Sequence, residues 1–138
     1  MATLNDLNLK KGNTVFLYGN WNGSEKSTVD FFIQQYTIHS IGKKRCYLIY
    51  GEDVNSRRDY SCTQDIHVAL TLEEAVAKCN AYRPEYTEKE KQDCQYKLDK
   101  WGNEKGYREM MEKKLNNILT APQRVLLNPY QTQTPEIL

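Results

Sequence analysis

Four consecutive stretches decide the fold: Gly12-Asn-Thr-Val-Phe-Leu-Tyr18, the apolar run from Val29 to Ile41, the turn Gly42-Lys43-Lys44, and the run Arg45-Cys-Tyr-Leu-Ile-Tyr50. In the second, Tyr36, Ile38 and Ser40 fall on one side, Thr37 and His39 on the other. In the fourth, Cys46, Leu48 and Tyr50 alternate with Tyr47 and Ile49. Successive side chains of a strand point to opposite faces, so two such runs around a short glycine-containing turn predict an antiparallel hairpin. Val15 and Leu17 predict a strand before it, following the polar turn Lys10-Lys11-Gly12-Asn13. Tyr60-Ser-Cys62 and Ile66-His-Val-Ala-Leu70 predict one or two more short strands. Between these runs, Gly19–Thr28 and Gly51–Asp59 are rich in turn formers and predict loops, the second one mobile.

Helical periodicity begins at Thr71-Leu-Glu-Glu74, a capping box in which the threonine oxygen accepts from the third helical N–H and the glutamate reaches back. Leu72, Ala75, Val76 and Cys79 form one apolar stripe behind it, and Pro84 predicts its end. A second box, Thr87-Glu-Lys-Glu90, predicts the start of a longer helical region carrying Cys94, Leu98 and Trp101, then Met111, Leu115 and Ile118. Gly102 and Gly106 predict a kink or break between those sets, since glycine costs about 1 kcal/mol in a helix interior. Pro122, Pro129 and Pro135 predict an extended, mobile tail. The expected class is α+β. About five short antiparallel strands and a closing helix make a small barrel over residues 1–82, followed by a helical arm over 83–120 and a tail over 121–138.

Leu, Ile, Val and Phe make up 29 of 138 residues, just above the roughly 20% below which chains tend to stay disordered. Ten tyrosines enlarge that modest core, and a net charge of +1 removes the strong self-repulsion of disordered chains. With 19 basic and 18 acidic residues, evenly divided between the two halves, broad electrostatic binding of nucleic acid is excluded and any charged site must be local. The start Met1-Ala-Thr-Leu-Asn-Asp6 lacks a basic and an apolar signal region, and no apolar stretch approaches the ~18 residues of a membrane span. The expectation is a cytoplasmic protein without membrane contact. Cys46, Cys62, Cys79 and Cys94 lie 15 to 17 residues apart, unlike zinc ligands, and read as reduced core thiols, with a disulfide as the alternative.

Gly12-Asn-Thr-Val-Phe-Leu17, Tyr36-Thr-Ile-His-Ser-Ile-Gly-Lys-Lys44, the aromatic-rich strand after them and Thr71-x-Glu-Glu-Ala75 resemble an SH3-like small β-barrel. That variant occurs in small phage and prophage accessory proteins, often followed by one or two C-terminal helices. The resemblance spans about half of the chain; the Gly19–Thr28 loop and the helical tail depart from it. It implies a binding scaffold and supplies no catalytic residue.

The residues carry no catalytic constellation either. Gly19-Asn-Trp-Asn-Gly23-Ser-Glu-Lys26 has its glycines and lysine at the wrong spacing for a phosphate loop. His39 and His67 read as strand residues, and nothing aligns Cys62 with His67 as nucleophile and base. No metal or cofactor is expected. Two binding features remain. Trp21, beside Asn20 and Asn22 in a polar loop, is a candidate contact, the alternative being a ring folded back over the barrel. Lys43, Lys44, Arg45, Arg57 and Arg58 fall in two loops that would make a positive patch among tyrosines, if neighbours. The combined expectation is a non-enzymatic binding protein of phage or mobile-element type that modulates or inhibits a host or defence complex in the host cytoplasm. A module for single-stranded nucleic acid is the alternative. The Met110-Met111-Leu115-Ile118-Leu119 stripe offers a homodimer contact through the C-terminal helix, in place of packing on the barrel.

Overall fold

The structure, a computed structural model, describes residues 1–20, 31–120, 124–129 and 136–137. Trp21, Asn22 and the rest of that expected loop lie outside the described residues. The strands are β1 (Thr14–Asn20), β2 (Phe31–Ile41), β3 (Arg45–Tyr50), β4 (Asp53–Ser61), β5 (Val68–Ala69) and β6 (Val125–Leu127). The helices are α1 (Leu72–Trp101) and α2 (Lys105–Thr120). The sheet runs β4-β3-β2-β1-β5, with antiparallel neighbours throughout, and β6 pairs in parallel with the first residues of β2.

The described strands form an open sheet, not a closed barrel. β4 and β5 are its ends, and no described ladder joins them. The physical reason lies between those strands: residues 62–66 bond to the N-terminal segment instead, through Asn5 N–H to the Cys62 carbonyl and Ala2 paired with Ile66. Eleven-residue β2 is the organising strand. Its first half is flanked by β1 and β6 and its second half by β3.

Alternation loads both faces of this sheet. Val15, Leu17, Tyr36, Ile38, Cys46, Leu48, Cys62 and Val68 bury one core, with Leu4 tucked beneath by the N-terminal segment. On the opposite face Phe16, Tyr18, Phe31, Ile33 and Ala69 meet Ala75 and Cys79 of α1, with Val125 of β6. Each Val, Leu, Ile or Phe among these contributes roughly 1.5–3 kcal/mol by leaving water. A third, separate cluster holds α1 to α2: Cys94, Leu98, Met111 and Ile118, with Tyr107 and Leu115 against it.

The expected cap is made. Thr71 Oγ1 accepts from the Glu74 N–H at 3.1 Å, and Glu74 reaches back to the Leu70 N–H at 3.2 Å. One of the free N–H donors of the first turn of α1 is thereby satisfied, and the glutamate fixes the residue just before the cap.

Four expectations change. Residues 53–59, expected as loop, join Tyr60 and Ser61 in the edge strand β4. Six of its nine side chains are exposed, so it has no apolar alternation to betray it. Pro84 lies inside α1, and the Thr87 box is interior to the same helix. Tyr82 before the proline and Tyr86 after it both pack against the second core, which holds the helix across a residue that removes one backbone bond. The boundary expected at residue 83 therefore falls within a continuous helix. Lastly, the tail contributes β6, and Ile137 packs on the second core, so these residues are docked.

The break at the glycines forms as expected. α1 stops at Trp101, and the Gly102 N–H still bonds to Leu98 O at 2.9 Å. A Cβ on Gly102 would collide with that same carbonyl oxygen of Leu98, so glycine suits the turn.

Candidate functional site

The five basic residues singled out in the sequence lie on the β3–β4 hairpin (Arg45, Arg57 and Arg58) and in the β2–β3 turn that leads into it (Lys43 and Lys44). At its open end, Lys43 and Lys44 are exposed in the β2–β3 turn, with their carbonyls fixed by Asn5 Nδ2 at 3.0 Å and the Cys62 N–H at 2.9 Å. Arg45 begins β3 opposite Ser61, and its guanidinium meets the Asp59 carboxylate at 3.7 Å on the surface. Such an exposed pair contributes only about 0–1 kcal/mol.

Further along, Arg57 lies 4.8 Å over the ring of Tyr47 and Arg58 lies 5.8 Å over that of Tyr50. A cation over a tyrosine face gains about 0.5–1 kcal/mol at exposed sites, and the ring holds the charge in place. Tyr50 is itself anchored, stacked on Tyr36 at 5.1 Å, while Tyr60 meets Tyr36 edge-on at 6.2 Å. Burial pushes the Tyr36 hydroxyl far above its ordinary range, reinforced by Tyr60. At the turn, Ser56 Oγ accepts from the Tyr50 N–H at 2.8 Å and Asp53 Oδ1 accepts from the Asn55 N–H at 3.0 Å. These bonds set the turn that places both arginines on β4.

The two basic groups share one hairpin without merging. Arg58 stands opposite Leu48, three residues from Arg45, which is about 10 Å at the ~3.4 Å rise of a strand. Asn20 is not part of this surface. It ends β1 opposite Phe31, at the far end of β2 from the stretch that pairs β3, and its side chain accepts from the Tyr86 hydroxyl at 3.1 Å.

Near that end lies a surface that sequence reasoning missed. A cavity of about 460 Å³ is lined by His67, Tyr82, Glu85, Tyr86, Lys89 and Glu90. The His67 ring packs 4.5 Å from Tyr82 and 5.1 Å from Tyr18, and Tyr82 lies 5.6 Å from Tyr86. Burial lowers the affinity of His67 for a proton, and the nearby N-terminal ammonium adds to this. Burial pushes Tyr86 up to about 12, with Glu90 contributing. The signal was available: Cys79, Tyr82 and Tyr86 continue the α1 stripe at helical spacing. Ending the helix at Pro84 hid it.

The cysteines are free and buried. Cys46 and Cys62 both lie in the first core, where burial, with Cys62 adding to it, pushes Cys46 up to about 11. Among the described residues, no cluster of three or more His, Cys, Asp or Glu could hold a metal ion, and no helix is long and apolar enough to cross a membrane. Met111, Leu115 and Ile118 pack on α1 of the same chain, leaving Met110 and Leu119 exposed. No protein-family profile matches the chain, and a search of curated proteins and of solved structures found none that matches it.

Proposed function

We propose that this chain is a non-enzymatic binding protein that docks on a protein partner, of the phage or mobile-element accessory kind that its β-rich part resembles. In that reading it modulates or inhibits a host or defence complex in the host cytoplasm. The strand order supports an SH3-like relation: a four-strand meander whose last member is followed directly by the strand at the opposite edge. The observation that carries the binding role is the pair of guanidinium-over-tyrosine contacts, Arg57–Tyr47 and Arg58–Tyr50, on an exposed strand. Arginine and tyrosine are among the residues enriched at binding hot spots. Stacked on a ring, the arginine loses less freedom when a partner engages it.

The test is affinity capture of the tagged protein from a bacterial lysate with and without nuclease, beside the double variant Arg57→Glu/Arg58→Glu. A stoichiometric protein partner that survives nuclease and is lost with the variant is expected. The same cations among aromatic rings also suit single-stranded nucleic acid. Capture that vanishes with nuclease, together with salt-sensitive binding to oligo-dT, replaces the protein reading with that one.

A further inference from the structure

We infer that the outer edge of β4 accepts an extended acidic segment of the partner as an additional antiparallel strand. This rests on the binding reading above and names the chemistry of what binds. β4 is nine residues long, pairs with β3 through Asp53 and Arg58–Ser61 with a register shift between them, and has no described strand on its other side. Such an edge presents a row of main-chain donors and acceptors, and strand addition draws its affinity from them. A nucleic-acid backbone offers no matching ladder, which favours a polypeptide.

Charge selects which polypeptide. Successive residues Arg57 and Arg58 point to opposite faces of β4, and each guanidinium sits over a tyrosine of β3. An added strand with two consecutive carboxylates therefore meets one arginine on each face. Of the acidic groups on β4, Asp59 is engaged by Arg45 and Asp53 by the Asn55 N–H. Val54, 57% exposed, offers an apolar contact beside them.

A second copy of the chain fits poorly. Fully overlapped antiparallel pairing of β4 with itself, centred on Arg57, sets the two guanidinia directly opposite. Moving the centre by one residue sets Arg58 against Arg58 or Asp53 against Asp59. Like charges directly opposite destabilise a strand pair, which disfavours each of these registers; the Arg58-centred one is offset in part, because it also sets Arg57 opposite Asp59 on both sides.

The test uses the full chain and three synthetic peptides: Thr-Val-Thr-Glu-Glu-Val-Thr-Val, its Lys-Lys counterpart, and the Glu-Glu peptide N-methylated at alternate residues. Titration calorimetry and amide exchange are read together. The Glu-Glu peptide is expected to bind and to slow exchange in 53–61, while the other two bind at least about tenfold more weakly. Arg57→Glu/Arg58→Glu is expected to reduce binding by roughly the same factor. Should that variant misfold, the N-methylated peptide on the unchanged protein still decides. Equal binding of the N-methylated peptide, or none by the Glu-Glu peptide, overturns strand addition even where lysate capture succeeds. Displacement of the Glu-Glu peptide by oligo-dT overturns the choice of polypeptide, and a concentration-dependent dimer through β4 overturns the rejection of self.

Discussion

The sheet and the helical arm bury their side chains on different terms. β1 and β2 have both faces covered, one by the N-terminal segment and the β3–β4 side, the other by α1 and β6. Among the described residues the arm, formed by the second half of α1 and α2, has one thin seam of four buried residues, and α2 packs chiefly on α1. A sheet buried on two faces is held by contacts from distant parts of the chain. The arm instead depends on one seam and one glycine turn, so it is the part that opens first.

That contrast is broken most severely at the shared strand. Phe31→Ala removes a fully buried ring from β2 and is expected to cost about 3–5 kcal/mol, read as a shift of the whole urea transition. Ile118→Ala in the arm is expected to cost about 2 kcal/mol, because a seam between two helices collapses more easily. Its loss of helical signal should precede the loss of near-ultraviolet aromatic signal from the sheet. Coincident transitions for both variants would show that arm and sheet are a single cooperative unit.

Thiol chemistry sharpens the same comparison without mutation. All four cysteines are fully buried, three of them in the sheet cores and Cys94 in the arm. Burial raises every one of these thiols above its ordinary value, to about 11 for Cys46 and Cys79. Alkylation therefore reports opening, and mass spectrometry at early times is expected to find Cys94 modified first. Equal rates at all four would contradict an independently opening arm.

The smallest expected effect lies at the junction, where His67 is held neutral among Tyr18, Tyr82 and the start of the chain. Its folded-state pKa lies below the ordinary 6.5, so the unfolded chain binds the proton first as pH falls. Stability is fully present above about 6.5 and declines below it. His67→Phe should flatten that part of the pH–stability curve, measured by urea titration at each pH. An unchanged slope would remove His67 from the linkage.

Legibility followed the same division. The β2–β3 hairpin and the Thr71 cap could be read directly, because alternation and capping are local and their partners lie a few residues away. β4 could not, since an edge strand faces solvent and carries the charges that protect it. The basic residues were legible as a set, but their split into an Arg45–Asp59 end and an Arg57–Arg58 middle needed the register of β3 on β4. The aromatic cavity needed α1 to pass through Pro84, which depends on Tyr82 and Tyr86 packing on either side of it.

Local pattern alone determined that this chain mixes short antiparallel strands with later helices, where α1 begins, and that the helical region breaks at the glycines after Trp101. Tertiary structure decided how far α1 runs, that residues 53–61 form an edge, and that Val125–Leu127 return beside Phe31–Ile33. The reason is range. Caps, turns and alternation act over four residues or so, whereas burial of a proline-bearing helix and pairing across more than ninety residues are set only when distant side chains share one core.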